Sequence, residues 1–309
     1  MTHALVTGGA GAIGSTLCAA LLQRGVRVTA IDDLSSGHRS LVPDGVTFIE
    51  GSVTDQAAVE AAFAGKPDWV FHLAALFANQ NSVEHPKADL AVNGAGTLNV
   101  LETAYRFRTR KLLYTSSSCV YGAKPVMRED DTDLDLDTPY AVTKLLGEHY
   151  AGLWSRLYGF NTVIIRLFNS YGPHEYPGPY RNVIPNFFKL AMEKKPLPIT
   201  GTGQETRDFT YNGDTVAGIV GAMLAETAPG SIFNIASGRE ETILSIAEKI
   251  NRLAHNPAGI EYRPRRSWDR VTQRRGDIER ARTAFGFAPT VGIDDGLKRT
   301  FAWLKSVLP

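Results

Sequence analysis

Cysteine is almost missing from this chain: Cys18 and Cys119 are the only two in 309 residues. Neither belongs to a C-x-x-C pair. That argues against a zinc site or any other metal centre of familiar spacing and against a disulfide framework, and it fits a reducing, cytoplasmic setting. A surplus of charge is missing too. Lys and Arg number 33 against 32 Asp and Glu, so no general attraction to nucleic acid or to a membrane surface is expected. No stretch reaches the roughly 18 apolar residues of a membrane span. The opening MTHALVTGGAG turns to glycine after a few apolar residues, unlike a signal peptide. Low-complexity tracts and repeats are also absent. What is present is 43% hydrophobic and 21% charged, the balance of an ordinary soluble chain. Its length allows one large two-layer unit or two modest domains.

The first half alternates short apolar runs with helical patterns. Ala4–Thr7, Val26–Ile31, Val46–Glu50, Trp69–Leu73, Lys111–Thr115 and Asn161–Arg166 read as buried strands, rich in β-branched residues and bounded by Gly, Pro or charge. Helical stretches fall near Ile13–Gln23, Gln56–Phe63, Gly94–Phe107 and Tyr140–Leu157. This alternation predicts an α/β fold, a parallel doubly wound sheet with right-handed crossovers. Past Arg166 the texture changes to proline, glycine and aromatics, as in NSYGPHEYPGPYRNVIP, and Ser231–Ile235 reads as a strand returning to the main sheet.

The strand Ala4–Thr7 runs into Gly8-Gly9-Ala10-Gly11-Ala12-Ile13-Gly14 and then a helix. Gly8 suits a tight turn, Gly11 lets a pyrophosphate approach the backbone, and Gly14 lets helix and strand pack closely. The helix N-terminus offers free N–H groups and a positive dipole end. Asp32 ends the second strand, 18 residues after Gly14. A carboxylate there accepts hydrogen bonds from ribose hydroxyls and repels a 2′-phosphate, which favours NAD over NADP. Arg39 nearby reads as a solvated loop arginine. The domain plan that follows is a Rossmann NAD-binding domain over 1–168 plus about 212–236, with a smaller mixed α/β domain for substrate over 169–211 and 237–309.

Tyr140 and Lys144 form a Y-x-x-x-K pair at the start of a helical stretch. Spacing i, i+4 puts both on one face, where an ammonium beside the phenol would lower its pKa and make Tyr140 a general base. Upstream, Leu113–Ser118 reads as a strand leading into serines, one of which can relay a proton from the reacting hydroxyl. A surface Tyr–Lys pair after a Ser-rich turn is the plainer reading of each motif alone; their order in one chain is what points to chemistry.

The ordered set TGGAGAIG at 7–14, IDDLSSG at 31–37, FHLAA at 71–75, VNGAGTLNVLE at 92–102, SSSCVYG at 116–122, PYAVTK at 139–144, RLFNSYGP at 166–173, TRDFTY at 206–211 and GDIERARTAFGFAPTVGIDDGL at 276–297 resembles the extended short-chain dehydrogenase/reductases, specifically the sugar-nucleotide epimerases and dehydratases. The resemblance implies Ser117 as proton shuttle, Tyr140 as base and Lys144 as ligand of the nicotinamide ribose. It places NAD against Gly8, Gly11, Ala12, Ile13, Gly14, Asp32, Asp33, Val53, Leu73, Ala74, Ala75 and Asn93. Ser52 stands where the family has an aspartate near the adenine. For the substrate it implies Ser117, Ser118, Asn169, Asn182 and Arg207, with an R-x-x-D met by Arg266 and Asp269 or, less well, by Arg274 and Asp277. Arg181 is a candidate for a sugar carboxylate, although an exposed loop arginine is the plainer reading. His38 and His72 read as structural.

The resemblance also sorts reactions. Dehydratases carry two carboxylates after the shuttle residue, and UDP-glucuronate decarboxylases a glutamate before V-Y-G; this chain has Ser118 and Cys119. The expectation is C4 epimerisation of a UDP-hexose, as in UDP-glucose 4-epimerases, with NAD reused. UDP-glucuronate and UDP-N-acetylhexosamine epimerases are alternatives, as are a 4,6-dehydratase or decarboxylase and a non-catalytic NAD sensor. Helices near 94–107 and 140–157 are expected to pair into a homodimer, as in the family.

Overall fold

The computed structural model describes residues 1–131 and 136–308. The apolar runs of the first half all become strands of one sheet. We label them β1 (His3–Thr7), β2 (Arg27–Asp32), β3 (Thr47–Glu50), β4 (Trp69–His72), β5 (Lys111–Ser117), β6 (Thr162–Leu167) and β7 (Ser231–Ile235). Their order is β7-β6-β5-β4-β1-β2-β3 and every pairing is parallel. Parallel strands need a crossover each, and the crossovers cover both faces with helices. That is why β1, with all five residues buried, shows no alternation.

One face carries α1 (Ala12–Leu22) and a helix at Asn212–Leu224, joined through Leu17, Leu21, Val216, Ile219 and Met223. Residues of 278–287 also pack on this side, through Ala281 and Phe287. The other face carries helices Gln56–Phe63, Thr97–Arg106 and Pro139–Tyr158, which bury Phe63, Val100, Leu101 and Ala151. A fully buried leucine such as Leu17 contributes about 1.5–3 kcal/mol. Local chemistry sets the ends. Asp55 accepts from Ala57 N at 2.9 Å and opens Gln56–Phe63. Thr138 caps Pro139–Tyr158, and Gly159 closes it in the left-handed region. The last carbonyls of Asn212–Leu224 and its C-cap receive the Lys111 ammonium, at 2.8–3.0 Å from Ala222, Met223 and Ala225.

A third core lies outside the sheet, where helices Val183–Met192, Ile243–Leu253 and Ile293–Val307 bury Phe187, Phe188, Ile246, Ile250, Leu297 and Leu304. Short strand pairs stitch this part to the sheet. Asn169–Tyr171 runs parallel to Phe209–Tyr211, and Arg275–Gly276 runs parallel to Val126–Met127. Ahead of Thr97–Arg106 the chain is a π-helix from Leu90 to Gly96, so the helical course begins before the expected Gly94.

The chain winds outward from β1 to β2 and β3, then crosses back from β3 to β4 on the other side of β1, so the order reverses between β1 and β4. Such a switch point leaves a crevice beyond the C-terminal strand ends, the binding place of open α/β sheets. Among the described residues, no helix is long and apolar enough to cross a membrane.

Candidate active site

A cavity of about 600 Å³ occupies this crevice. At its floor Gly8 has φ +73°, and a Cβ there would lie 2.9 Å from Ala74 N. A Cβ on Gly14 would meet Gly8 O at 2.0 Å, so α1 can dock on the turn only as glycine. The N-cap of α1, Gly11, gives no side-chain cap. The first-turn amides thus face the cavity edge lined by Gly11, Ala12, Ile13 and Gly14, a cradle for an anion.

Asp32 accepts from Ala10 N and Leu34 N, each at 2.9 Å. Burial, outweighing these bonds, holds its carboxyl above the ordinary range. A carboxylate offers about four lone-pair sites, so two remain for hydroxyl donors. Asp33, Ser52, Val53, Leu73, Ala74 and Ala75 also line the cavity. Asp33 turns onto Ser35 N at 3.0 Å, and Ser52 accepts from Thr54 Oγ1 at 3.0 Å. These residues and the uncapped amides fit a dinucleotide laid along the strand ends. Arg39 lies over the Phe48 ring at 4.6 Å.

Asn93 does not line the cavity. It is fully buried, with Nδ2 on Leu76 O and Asp89 Oδ1 and with Oδ1 accepting from Leu76 N. Its amide is spent on holding the turn after β4 from behind. His72 sits between Thr7 Oγ1 and Thr97 Oγ1, at 2.8 and 2.9 Å. Burial pushes it down to about 3, so it is a neutral structural link.

Ser117, Tyr140 and Lys144 come together in the cavity wall. The Ser117 hydroxyl opposes the burial shift of the Tyr140 phenol, and Ser117 Oγ accepts from Cys119 N at 3.2 Å. The expected effect of Lys144 on Tyr140 is corrected. Lys144 Nζ lies 5.7 Å from the Tyr140 ring centroid and donates to Thr115 O at 3.0 Å. Burial holds the Tyr140 phenol well above its ordinary value, and burial also brings Lys144 down to about 8. Desolvation of both groups outweighs their attraction at this separation. Beneath them Ser116 donates to Glu148 Oε1 at 2.5 Å, and Glu148 pairs with buried Arg166 at 2.7 Å. The serine strand is thereby tied to the helix that carries Tyr140.

Across the cavity stand Asn169, Asn182, Arg207, Arg266 and Asp269. Arg207 pairs with Asp269 at 3.3 Å, and burial lowers Arg207 to about 10, followed by the charge of Arg274. Asn182 spends Nδ2 on Ser170 O and Glu175 Oε1. Arg266 is exposed, 5.6 Å from the Trp268 ring centroid. The alternative R-x-x-D splits: Arg274 lines the cavity, whereas Asp277 points away, accepting from Arg128 Nε at 3.1 Å and Glu279 N at 3.0 Å. Arg181 is a half-buried rim residue, donating to Ser36 O and to Ser36 Oγ at 2.6 Å. With it, Tyr180 donates to Glu84 Oε2 at 2.5 Å and Tyr176 meets the His38 ring at 4.2 Å. The loop 174–182 therefore straps one rim of the cavity to the other.

Sequence reasoning missed Glu175. It is buried on the cavity wall with Oε2 unpartnered, and burial pushes it up to about 7. A glutamate in a Pro- and Gly-rich segment carries no signal of burial. Arg274 was visible only as half of the less favoured of two R-x-x-D motifs.

Comparison with known proteins fits this geometry. The profile of the NAD dependent epimerase/dehydratase family matches residues 4–236. An epimerase of Methanothermobacter thermautotrophicus superposes with a TM-score of 0.97 at 45% identity, covering 99% of this chain and 92% of that one. A UDP-glucose 4-epimerase of Thermus thermophilus in complex with NAD gives 0.93 at 30% identity, covering 99% and 100%. Among curated proteins, a UDP-N-acetyl-alpha-D-glucosaminuronate decarboxylase of Bacillus cytotoxicus is 33% identical over 98% of both chains.

Proposed function

The chain belongs to the NAD-dependent epimerase/dehydratase family, and from that premise we propose that it inverts C4 of a UDP-hexose through a 4-keto intermediate. Its cofactor is NAD. When bound, NAD supplies a hydride acceptor and, in its oxidised form, a positive charge near the reacting atoms. Gly8, Gly11–Gly14 and Asp32 hold it in this reading, with Asp33, Ser52, Val53 and Leu73–Ala75 along its length and Asn93 acting from behind.

Tyr140 takes the proton of the sugar hydroxyl. Its buried phenol resists ionisation alone, and a cation beside it favours the phenolate. Ser117, on the same stretch of cavity wall as Tyr140, relays that proton. Lys144 is held by Thr115 O and offers its remaining N–H donors to the cofactor ribose. Asn169, Asn182, Arg207, Arg266 and Asp269 take the diphosphate and nucleoside. The single observation that carries the reading is this wall: Ser117, Tyr140 and Lys144 side by side on the cavity lining, followed by Ser118 and Cys119 where eliminating enzymes need carboxylates. Loss of water has no acid there, whereas rotation and return of hydride need none.

The domain division of the sequence reading is kept as part of this proposal, with 278–287 packed on the sheet side. A homodimer is proposed too. Tyr105, Val142, Leu157 and Tyr158 are 44–63% exposed on the two helices expected to pair, an apolar surface beyond single scattered residues.

The test is a panel of UDP-, dTDP-, GDP- and CDP-sugars given to the NAD-loaded protein, with products read by NMR. A C4-inverted UDP-sugar is expected. Release of water or carbon dioxide, or inversion at another carbon, would refute the reading.

A further inference from the structure

Lys144 is buried in the cavity wall with no anion in contact. It is 3% exposed, and its Nζ donates to the neutral Thr115 O. Among the described residues no carboxylate pairs with it. A buried ammonium is costly unless some charge answers it. The groups that face it come from four directions. From the sheet come His72, which is neutral, and the Tyr114 ring, whose centroid lies 5.4 Å from Nζ. The turn after β5 brings the Cys119 thiol. The helix of Lys144 brings Tyr140 and Glu148, and Glu148 is already spent on Arg166 at 2.7 Å. The segment ahead of Thr97–Arg106 brings Asp89.

Asp89 is fully buried, and among the described residues no cation pairs with it. Both of its oxygens are engaged. Oδ2 accepts from Thr143 Oγ1 and Oδ1 from Asn93 Nδ2, each at 2.7 Å. Burial raises the carboxyl, and these two bonds oppose the rise by favouring the carboxylate. Thr143 lies three residues after Tyr140 and directly before Lys144, so its bond fastens Asp89 to the turn of helix that carries both. Asn93 holds Asp89 from the other side and is itself locked to Leu76. Burial lowers Lys144, and Asp89 is foremost among the charges that act against it. We infer that Asp89 is a positioning residue and the buried counter-charge of Lys144: tethered at Thr143 and Asn93, it keeps the lysine an ammonium beside Tyr140. The inference deepens the proposed chemistry of Tyr140 and Lys144 and rests on it.

The experiment uses the NAD-loaded full chain carrying isotope-labelled lysine. NMR follows the Lys144 side chain against pH, its signal identified by its loss in Lys144→Arg. Asp89→Asn should release the Lys144 proton about one pH unit lower than the wild-type protein does, the scale of one nearby charge. Asparagine keeps the shape of the side chain, so this variant removes charge rather than packing. Asp89→Glu should return the midpoint toward the wild-type one. In turnover of UDP-glucose, the alkaline limb of kcat should move down with the lysine in Asp89→Asn. A merely structural role would lower kcat at every pH and leave that limb in place. Equal midpoints in Asp89→Asn and the wild-type protein overturn the inference. So does a midpoint that falls as far in Asp89→Glu as in Asp89→Asn, because charge would then be irrelevant. If UDP-glucose is not turned over while the lysine midpoints shift as expected, the choice of sugar falls and the inference stands. Circular dichroism and bound-NAD content report whether Asp89→Asn folds. Should it not, the wild-type protein decides: Lys144 still an ammonium at neutral pH supports the counter-charge, and Lys144 already neutral there overturns it.

Discussion

The two ends of the cavity are held by different means. At the end proposed for the cofactor, backbone forms the wall: the β1–α1 turn, the uncapped start of α1 and the ends of β2 and β4, all anchored in the sheet cores. At the end proposed for the substrate, side chains line the cavity instead, from segments far apart in sequence: Asn169, Arg207, Asp269 and Arg274. The first end is fixed by strand register and close glycine contacts. The second is an excess of arginine, balanced piecemeal by Asp269 and left open at Arg274. A sheet can present amides to any dinucleotide, while charges on loops decide which sugar nucleotide is accepted.

That contrast can be broken or sharpened by substitution. Tyr140→Phe should cut turnover by about 10³–10⁴, the scale of general acid–base catalysis, yet retain NAD; near-full activity by NMR would remove Tyr140 from the chemistry. Asp32→Ala should weaken NAD binding by roughly 10–100-fold, as expected for hydrogen bonds to a charged group, with UDP binding unaffected. Unchanged NAD affinity in a fluorescence titration would show that the cofactor end does not depend on that carboxylate. Asp269→Asn should do the reverse, raising the KM of the sugar nucleotide by about tenfold at constant NAD content. Loss of NAD in that variant would mean the two ends are not separable.

A last effect, on stability rather than on binding or turnover, concerns Glu175. Its carboxyl is raised from 4.5 to about 7 by burial. A raised folded value means stability that is fully present below pH 4.5 and is lost as pH climbs through about 7. Glu175→Gln should remove that part of the dependence of stability on pH, about 3 kcal/mol across the window, read as a flatter Tm profile of the cofactor-free protein. Superimposable Tm profiles for the two proteins would place the titration elsewhere.

The same division marks what was legible beforehand. Every expected strand joined the sheet, including Ser231–Ile235 from beyond a long excursion, because β-branched runs with two buried faces leave a continuous apolar signature. Gln56–Phe63 kept its expected bounds, since Asp55 supplies a local cap. Asn169–Tyr171 and Phe209–Tyr211 went unseen, being too short to show a period. Spacing put Lys144 beside Tyr140, but spacing carries no information on desolvation, and desolvation sets the direction of both shifts. Arg181 and Arg274 look alike in sequence. One holds a rim and the other stands unpaired in the wall, a difference made by the strand pair at Arg275–Gly276.

The strap at 174–182 has a consequence in time rather than in affinity. The Arg181–Ser36 and Tyr180–Glu84 contacts bridge the loop to the facing segments, so in the proposed reading the release rate of a molecule beneath it depends on loop opening as well as on its own contacts. For a cofactor reduced and reoxidised in place, as the proposed epimerisation requires, slow escape would be insulation: the bound couple would be cut off from the free pools outside, and its oxidation state would follow the sugars that visit it.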